Sequence, residues 1–369
     1  MFISMTSSSL KTYKILFGCL IFLGSCHVGR FFIFNFADLD DYKKFPERSI
    51  KPSNQCYSFE EQKMDLFKDE QELESLISDS KTASFLVIKD DKILYEYNDE
   101  SISGKWVSTF SMAKSFVGLL TGIAIEEGLI ESEQDPVTKY IDYIKDPSFE
   151  KITIKHLLDM QTGIDYNENY YNPFGNVAVG YYGRNLKRHI SNLKTNESPG
   201  KYFDYISIST QLLGEVLQEV SDTTLSYYFQ EKIWQKVGTC HEASWSLDSK
   251  NGTEKAFCCL NGKTLDFAKV GKMMLDGGSF EGERVVPKNW VVNSTTIHAE
   301  SSNQQYQNQW WLMGASDRSQ SHLVDYCAQG HLGQYLYINP VKRTIIVRFG
   351  DGYGNVSWVR LFKRINELL

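Results

Sequence analysis

Two β-hairpin patterns, one towards each end of the chain, constrain the fold more than any other feature of the sequence. The first is SFLVIKDDKILYEYN at residues 84–98, which turns at Asp90-Asp91. The second is QYLYINPVKRTIIVRFG at residues 334–350, which turns at Asn339-Pro340. Runs of β-branched and aromatic residues on both sides of a turn signal are typical of paired antiparallel strands. The sequence therefore predicts an antiparallel sheet that both ends of the chain close.

The segments between these hairpins have mostly helical patterns, in which apolar residues recur every three or four positions. The first begins at Ser111 and ends at Gly128, and SWVRLFKRINELL closes the chain as an amphipathic helix. We therefore predict an α+β fold, with the sheet flanked by helices and a helical insertion at about residues 111–285. The expected boundaries are 37–75 for an N-terminal linker region and 76–369 for the main domain.

Charge and cysteine usage argue against several classes of protein. The 369 residues carry a formal net charge of -7 and no concentrated basic face, so we expect no nucleic-acid partner. Walker A, G-x-G-x-x-G and H-E-x-x-H motifs do not occur in the sequence. We therefore expect no cofactor. The cysteines have no C-x-x-C spacing and no paired histidine, so we expect no metal, and seven cysteines in a chain of this length do not indicate a disulfide scaffold. Adjacent Cys258 and Cys259 are interpreted as small buried residues.

The N-terminus has the features of an export signal. Two lysines precede the apolar run ILFGCLIFLG at residues 15–24, which has the length of a signal-peptide core and is too short to span a bilayer alone. The residues before Cys26 resemble a bacterial lipobox, whereas FFIFNF at residues 31–36 would extend the run into a signal anchor. We expect residues 1–36 to be a lipoprotein signal or a membrane anchor, and the protein to be exported to the cell envelope.

The segment FSMAKSF at residues 110–116 places a serine and a lysine three positions apart at the start of an apolar helix. The pattern S-x-x-K recurs elsewhere in the chain, but only the match at Ser111 opens a long apolar helix. On a helix, residues i and i+3 lie on one face about 5–6 Å apart, so the Lys114 amine is expected within reach of the Ser111 hydroxyl. The alternative is a capping serine followed by a lysine that extends to solvent.

A lysine beside a serine has a chemical use. A serine hydroxyl is a poor nucleophile at neutral pH and needs a base, and a lysine acts as a base only in its neutral form. Burial lowers the pKa of a lysine, by up to ~3–5 units when it is complete. The free N–H groups at a helix N-terminus stabilise the oxyanion that forms when an acyl carbonyl is attacked. The pattern at Ser111 therefore indicates acyl transfer.

Several segments resemble, in the same order, the superfamily of serine β-lactamases, penicillin-binding proteins and related esterases. They span about residues 80–365 and read FSMAKSFVGLLTGIAIEEGLI, LLDMQTGIDYNENY, FDYISISTQLLGE, KVGKMMLDGG, QWW and GHLGQYLYINP. The likeness is closest to the 6-aminohexanoate-dimer hydrolase-like amidases and esterases, which are related to class C β-lactamases. It implies a β-lactamase/transpeptidase-like fold and hydrolysis through an acyl-enzyme.

The resemblance also implies roles for individual residues. Ser111 would be the acylated nucleophile, Lys114 its general base, and Tyr205 a phenolate or proton shuttle. Ser207 would hydrogen-bond the lysine or the substrate. Tyr166, in the segment D-Y-x-E-x-Y, matches a tyrosine that closes over substrate, with a surface-loop aromatic as the alternative.

The segment His331-Leu332-Gly333 occupies the place of the family's K-T-G or H-T-G. His331 would line the site, Gly333 would let the strand edge approach the substrate, and the backbone N–H of Gln334 would join that of Ser111 in an oxyanion hole. The segment departs from the family because position 331 is not lysine and Leu332 has no hydroxyl for a substrate carboxylate. The histidine also stands one position earlier than in the related amidases. The resemblance therefore does not imply recognition of β-lactams.

These features predict an exported, membrane-attached serine hydrolase that cleaves a small amide or ester. Two alternatives stay open. One is a D-Ala-D-Ala carboxypeptidase or β-lactamase, and the other is a catalytically silent envelope binding protein. Trp310 and Trp311 are expected to wall the pocket or to pack the sheet.

Overall fold

The structure, a computed structural model, describes residues 26–34, 36–64, 70–100, 105–298, 303, 305–313 and 324–369. The apolar run of the predicted export signal lies in residues 1–25, outside the described residues. Among the described residues, no helix has both the length and the apolar character needed to cross a bilayer.

The described strands are numbered in chain order. They are β1 (Glu47–Ile50), β2 (Glu60–Glu61), β3 (Thr82–Lys89), β4 (Lys92–Asn98), β5 (Val107–Ser108), β6 (Ala243–Ser246), β7 (Leu260–Gly262), β8 (Ser279–Phe280), β9 (Glu283–Arg284), β10 (Tyr306–Gln307), β11 (Trp310–Leu312), β12 (Tyr326–Gly330), β13 (Gln334–Asn339) and β14 (Thr344–Gly350).

The described α-helices are numbered in the same way. They are α1 (His27–Phe34), α2 (Glu70–Asp79), α3 (Ala113–Glu126), α4 (Ile154–Leu158), α5 (Asn176–Tyr182), α6 (Leu186–Ile190), α7 (Ser207–Ser221), α8 (Leu225–Phe229), α9 (Thr264–Leu275), α10 (Lys288–Thr295) and α11 (Trp358–Leu368).

An eight-stranded sheet in the order β10-β11-β12-β13-β14-β3-β4-β2 forms the centre of the fold. Both predicted hairpins are confirmed, as β3–β4 and β13–β14. Asp90 and Asp91 have φ of 48° and 63°, a left-handed conformation that aspartate tolerates in a hairpin turn. Strand β14 pairs antiparallel with β3, so segments from both ends of the chain close the same sheet. The predicted α+β fold is confirmed.

Side chains of strand β3 are buried on both faces of this sheet because successive residues point to opposite sides. Phe85 and Val87 join a core beneath α2 and α11, which includes Phe362. Leu86 and Ile88 join the larger core on the other face, which includes the side chains of α3 and α9. The sheet is therefore the middle layer between two groups of helices.

A second sheet, which the sequence did not predict, has four strands in the order β1-β6-β7-β5. Strand β1 lies in the region expected to be a linker, and it pairs antiparallel with β6 about 200 residues later in the chain. Cys56 of the same region forms a disulfide with Cys240. Cys258 and Cys259 are buried, as interpreted, but they are also joined to each other by a disulfide that the sequence did not predict. Cysteine spacing did not reveal either bond, since one spans 184 positions and the other joins adjacent residues.

Helix α1 follows the predicted export run and packs on the main domain. Phe31 is buried and contacts Tyr182 edge to face, with 5.3 Å between the ring centroids. Arg30 is also buried and donates from Nη1 to the carbonyl oxygen of Tyr182 at 2.7 Å. Part of the predicted 1–36 segment is thus attached to helix α5 of the folded domain.

Candidate active site

Ser111 lies in a 3₁₀ turn, Phe110–Met112, that leads directly into helix α3. Phe110 has φ of 44°, an unusual conformation for a bulky residue and one that is held by its surroundings. Helix α3 is buried on all sides from Ala113 to Ala124, as expected for a helix without a polar face. The serine hydroxyl therefore sits at the N-terminal mouth of a buried helix.

The Lys114 ammonium lies beside the Ser111 hydroxyl, as the i, i+3 spacing predicts. Its Nζ donates to Ser111 Oγ at 2.8 Å and to the carbonyl oxygen of Phe257 at 2.9 Å. The lysine side chain is fully buried, and this burial lowers its pKa to about 8 against an opposing effect of the Glu168 carboxylate. A buried lysine with this pKa is part ammonium and part amine near neutral pH.

Tyr205 comes close to both residues from the loop before helix α7. Its ring centroid is 5.1 Å from Lys114 Nζ, and its ring packs against Trp311 at 5.4 Å between centroids. Burial raises the pKa of the phenol, and a hydrogen bond with Ser111 only partly opposes this effect. The phenol is therefore neutral near pH 7, which favours the proton-shuttle role over the phenolate. Trp310, in contrast to Trp311, is buried in the core.

Ser207 contacts Glu168 rather than the lysine. Its hydroxyl donates to Glu168 Oε1, and its backbone N–H donates to Oε2 at 2.8 Å. The Tyr170 hydroxyl donates to the same carboxylate at 2.9 Å. Glu168 was not among the site residues predicted from the sequence, although it is the glutamate of the D-Y-x-E-x-Y segment.

Of the two tyrosines in the D-Y-x-E-x-Y segment, Tyr170 lines the cleft and Tyr166 is buried. Tyr166 is 8% exposed and packs near His189, with 6.1 Å between the ring centroids. Tyr170 stacks on His331 at 5.3 Å with an interplanar angle of 12°. The predicted closing role therefore fits the second tyrosine of the segment better than the first.

The segment 331–333 forms a tight turn between β12 and β13. Leu332 and Gly333 have φ of 62° and 80°. A Cβ atom at Gly333 would lie 2.5 Å from Nη1 of buried Arg348, and this nitrogen also donates to the carbonyl oxygen of Leu332 at 3.2 Å. Gly333 is therefore required by the turn and by Arg348, a different reason from the predicted approach to substrate.

Gln334 lies inside the sheet, while two residues of the turn face the cleft. Gln334 pairs with Gly330 across β12 and β13, and its side-chain amide donates to the carbonyl oxygen of Gly350 at 2.7 Å. His331 and Leu332 line the cleft beside Ser111. Burial lowers the pKa of His331, so its ring is neutral near pH 7. A Cβ atom at Gly330 would lie 2.2 Å from the carbonyl oxygen of Thr109, so Gly330 is the glycine that permits close approach to the serine turn.

The cleft at Ser111 is a cavity of about 300 Å³ with a mainly aromatic wall. Among the described residues, no Asp, Glu, Lys or Arg lines it. The lining residues are Phe36, Ala37, Phe110, Ser111, Tyr170, Tyr171, Val177, Ala178, Tyr181, Tyr182, Ser207, Phe257, Cys258, His331, Leu332 and Tyr353.

Ser111 contacts a buried lysine at the N-terminus of a helix, beside an antiparallel sheet that both chain ends close. This combination of site and fold defines the class of β-lactamase-like serine hydrolases. A family profile described as Beta-lactamase matches residues 73–367. The chain therefore belongs to the Beta-lactamase family.

Three relatives illustrate the range of this likeness. The 6-aminohexanoate-dimer hydrolase of Paenarthrobacter ureafaciens is 27% identical over 310 residues, which cover 76% of this chain and 75% of the relative. The solved structure of a penicillin binding protein from Bacillus halodurans covers 80% of this chain and all of its own, with a TM-score of 0.62 and 15% identity. EstCE1, described as a hydrolase with promiscuous acyltransferase activity, has a TM-score of 0.60, 14% identity and coverage of 81% and 96%. At 14% and 15% identity, the likeness to these two solved structures shows a shared fold alone.

Proposed function

We propose that this protein is a serine amidase or esterase that forms an acyl-enzyme on Ser111. The observation that carries the proposal is the 2.8 Å contact between Ser111 Oγ and a buried Lys114 whose pKa is lowered to about 8. Neutral lysine can act as the base that a serine nucleophile needs. Because burial lowers the pKa of Lys114, a fraction of the lysine is neutral near pH 7.

In the acylation step, neutral Lys114 takes the proton of Ser111 Oγ as that oxygen bonds to the substrate carbonyl carbon. The oxyanion that forms would be stabilised by the backbone N–H groups of Ser111 and Gln334, the pair that the resemblance implies. As the bond from carbon to the leaving nitrogen or oxygen breaks, the neutral Tyr205 phenol gives its proton to the leaving group and takes one from the Lys114 ammonium, which returns the lysine to its neutral form. Water then attacks the ester carbonyl on Ser111 and gives a proton to neutral Lys114. As the bond to Ser111 Oγ breaks, that oxygen takes the proton back, and the acid is released.

The lining of the cleft supports an uncharged acyl group. Penicillins and D-Ala-D-Ala peptides carry a carboxylate, which a binding site usually pairs with a cationic side chain. The described lining of the cleft has no such cation, because His331 is neutral near pH 7. Leu332 also lacks the hydroxyl found in K-T-G. The amidase or esterase assignment is therefore favoured over the peptidase or β-lactamase assignment.

Labelling of Ser111 tests the proposal. We expect a fluorophosphonate probe to label the protein and a fluorescent penicillin not to label it, and mass spectrometry to place the adduct on Ser111. Ser111→Ala should lower p-nitrophenyl acetate turnover at least ~1000-fold. Ser191→Ala is the matched control, because Ser191 opens another S-x-x-K segment on the exposed surface.

Labelling by both probes would support the peptidase or β-lactamase assignment instead. A folded protein that neither probe labels at Ser111 would support a silent binding protein.

A further inference from the structure

An exposed apolar surface borders the mouth of the cleft. We call it the rim and define it as Phe32, Ile33, Phe36, Tyr171 and Phe174, whose side chains are 56% to 75% exposed. Single apolar residues are common on the surface of a soluble protein, but a contiguous apolar cluster marks a surface that binds something.

The rim is continuous with the cleft. Phe31, which anchors α1, contacts Phe32 and Phe36 with ring centroids 5.5 and 6.4 Å apart. Phe36 in turn contacts Tyr171 at 5.8 Å. Phe36 and Tyr171 also line the cleft at Ser111, and Phe174 follows in the same loop. A ligand that covers the rim therefore lies at the entrance to the cavity.

The two segments that build the rim contain no charged residue. Residues 31–37 and 169–183 have no Asp, Glu, Lys, Arg or His. A surface that binds a protein partner usually has a polar border around its apolar centre. A surface that enters the hydrocarbon of a bilayer carries no charge, because the desolvation of a charge is costly. The rim side chains themselves are uncharged and mostly aromatic, which suits the interface of a lipid bilayer, where aromatic side chains are enriched.

The direction of the chain also favours a bilayer as the occupant. The apolar run at residues 15–24 ends two positions before Cys26, and α1 begins at His27 with Phe32 and Ile33 on its exposed face. Lipid affinity at residues 15–24 would therefore hold the rim, and not the opposite side of the domain, against the membrane.

We propose that the rim docks on a lipid bilayer and that the cleft takes from it an ester or amide with a lipophilic acyl chain. This inference rests on the proposed function at Ser111. The uncharged, aromatic cavity of about 300 Å³ provides space for an apolar chain, and its entrance opens among the residues that would lie at the membrane surface.

Tryptophan quenching tests the orientation. In the full chain bound to phosphatidylcholine vesicles that contain brominated phosphatidylcholine, Phe174→Trp should show quenching above that of the parent protein. Tyr227→Trp is the matched control, because Tyr227 is 52% exposed and lies on α8, away from the rim. Equal quenching at both positions, or none at position 174 in vesicle-bound protein, would overturn the proposal.

A comparison of two substrates tests the substrate class. The triple variant Phe32→Ser, Ile33→Ser, Phe174→Ser changes rim residues outside the cleft lining. We expect hydrolysis of a palmitoyl ester embedded in vesicles to fall at least ~10-fold while p-nitrophenyl acetate turnover is unchanged. The control replaces Tyr227, Val292 and Val341 by serine, three exposed apolar residues elsewhere, and should leave both rates unchanged.

Other outcomes contradict the inference in distinguishable ways. If the triple variant loses both activities equally, the rim supports folding rather than docking. If the parent protein self-associates without vesicles and the triple variant does not, a second copy covers the rim. If Ser111→Ala hydrolyses p-nitrophenyl acetate as fast as the parent, the proposed function fails, whereas the quenching result still reports on docking.

Discussion

Lys114 donates a hydrogen bond from Nζ to the carbonyl oxygen of Phe257, 143 positions later in the chain, at 2.9 Å. This carbonyl fixes the position of the lysine, whose Nζ also donates a hydrogen bond to Ser111 Oγ. Burial lowers the pKa of Lys114, and the Glu168 carboxylate partly opposes this effect. The backbone near residue 257 is therefore part of the candidate site, although no side chain there reacts.

The pH dependence of ester hydrolysis should follow Lys114. Because the base form is required and burial lowers the pKa to about 8, kcat/KM should rise about tenfold per pH unit below about pH 8 and level off above it. Lys114→Met, which retains the apolar chain, should lose at least ~100-fold at every pH. Rates of p-nitrophenyl acetate hydrolysis between pH 6 and 10 measure this, and a profile governed by a group near pH 6.5 would contradict it.

Glu168→Gln should move this profile to lower pH. The Glu168 carboxylate raises the pKa of Lys114 against the larger effect of burial, so its loss lowers that pKa further. Glutamine still accepts from the Ser207 backbone N–H, which keeps the loop in place. Asp165→Asn is the control, because Asp165 is an exposed carboxylate in the same loop. The predicted effect of Glu168 on Lys114 is wrong if kcat/KM depends on pH in the same way in the two variants.

The disulfide between Cys258 and Cys259 should maintain the position of the Phe257 carbonyl. Cys258 lines the cleft, and Cys259 has φ of 68°, a sparsely populated conformation for a residue other than glycine. Replacing both cysteines by alanine should lower kcat on the order of tenfold, since small displacements of catalytic groups are costly.

The second disulfide provides the control for this experiment. Replacing Cys56 and Cys240 by alanine should lower the free energy of unfolding by about 2–4 kcal/mol and leave kcat unchanged. Equal kcat for the two double variants, measured on folded protein, would show that the bond at the cleft has no positioning role.

His189 should make the protein less stable in mild acid. Burial, with a smaller effect of His27, lowers the pKa of His189 to about 4, whereas a histidine in the unfolded chain titrates near 6.5. Above about pH 6.5 both states are neutral. Between about pH 6.5 and 4 the unfolded state binds more protons, so the free energy of unfolding should fall by on the order of 2 kcal/mol.

Urea unfolding at several pH values measures this effect. His189→Gln should reduce the loss of stability in that window, and His298→Gln, at an exposed position, should not. A parent protein whose stability is constant from pH 7 to 5 would contradict the prediction.

The sequence by itself determined the hairpins, the apolar helix that follows Ser111 and the spacing of Ser111 and Lys114. These features are local, because strand alternation and the i, i+3 contact depend only on residues a few positions apart. The resemblance to known hydrolases added the fold and the candidate roles of Tyr205 and the 331–333 turn.

The tertiary structure alone decided the partners of these residues. It assigned Ser207 to Glu168, moved the cleft-facing role from Tyr166 to Tyr170, and joined Cys56 to Cys240. It also set the pKa of Lys114 and of Tyr205, because a pKa depends on how completely distant segments exclude water from a group. Burial is a property of the packed chain, and no local pattern of residues specifies it.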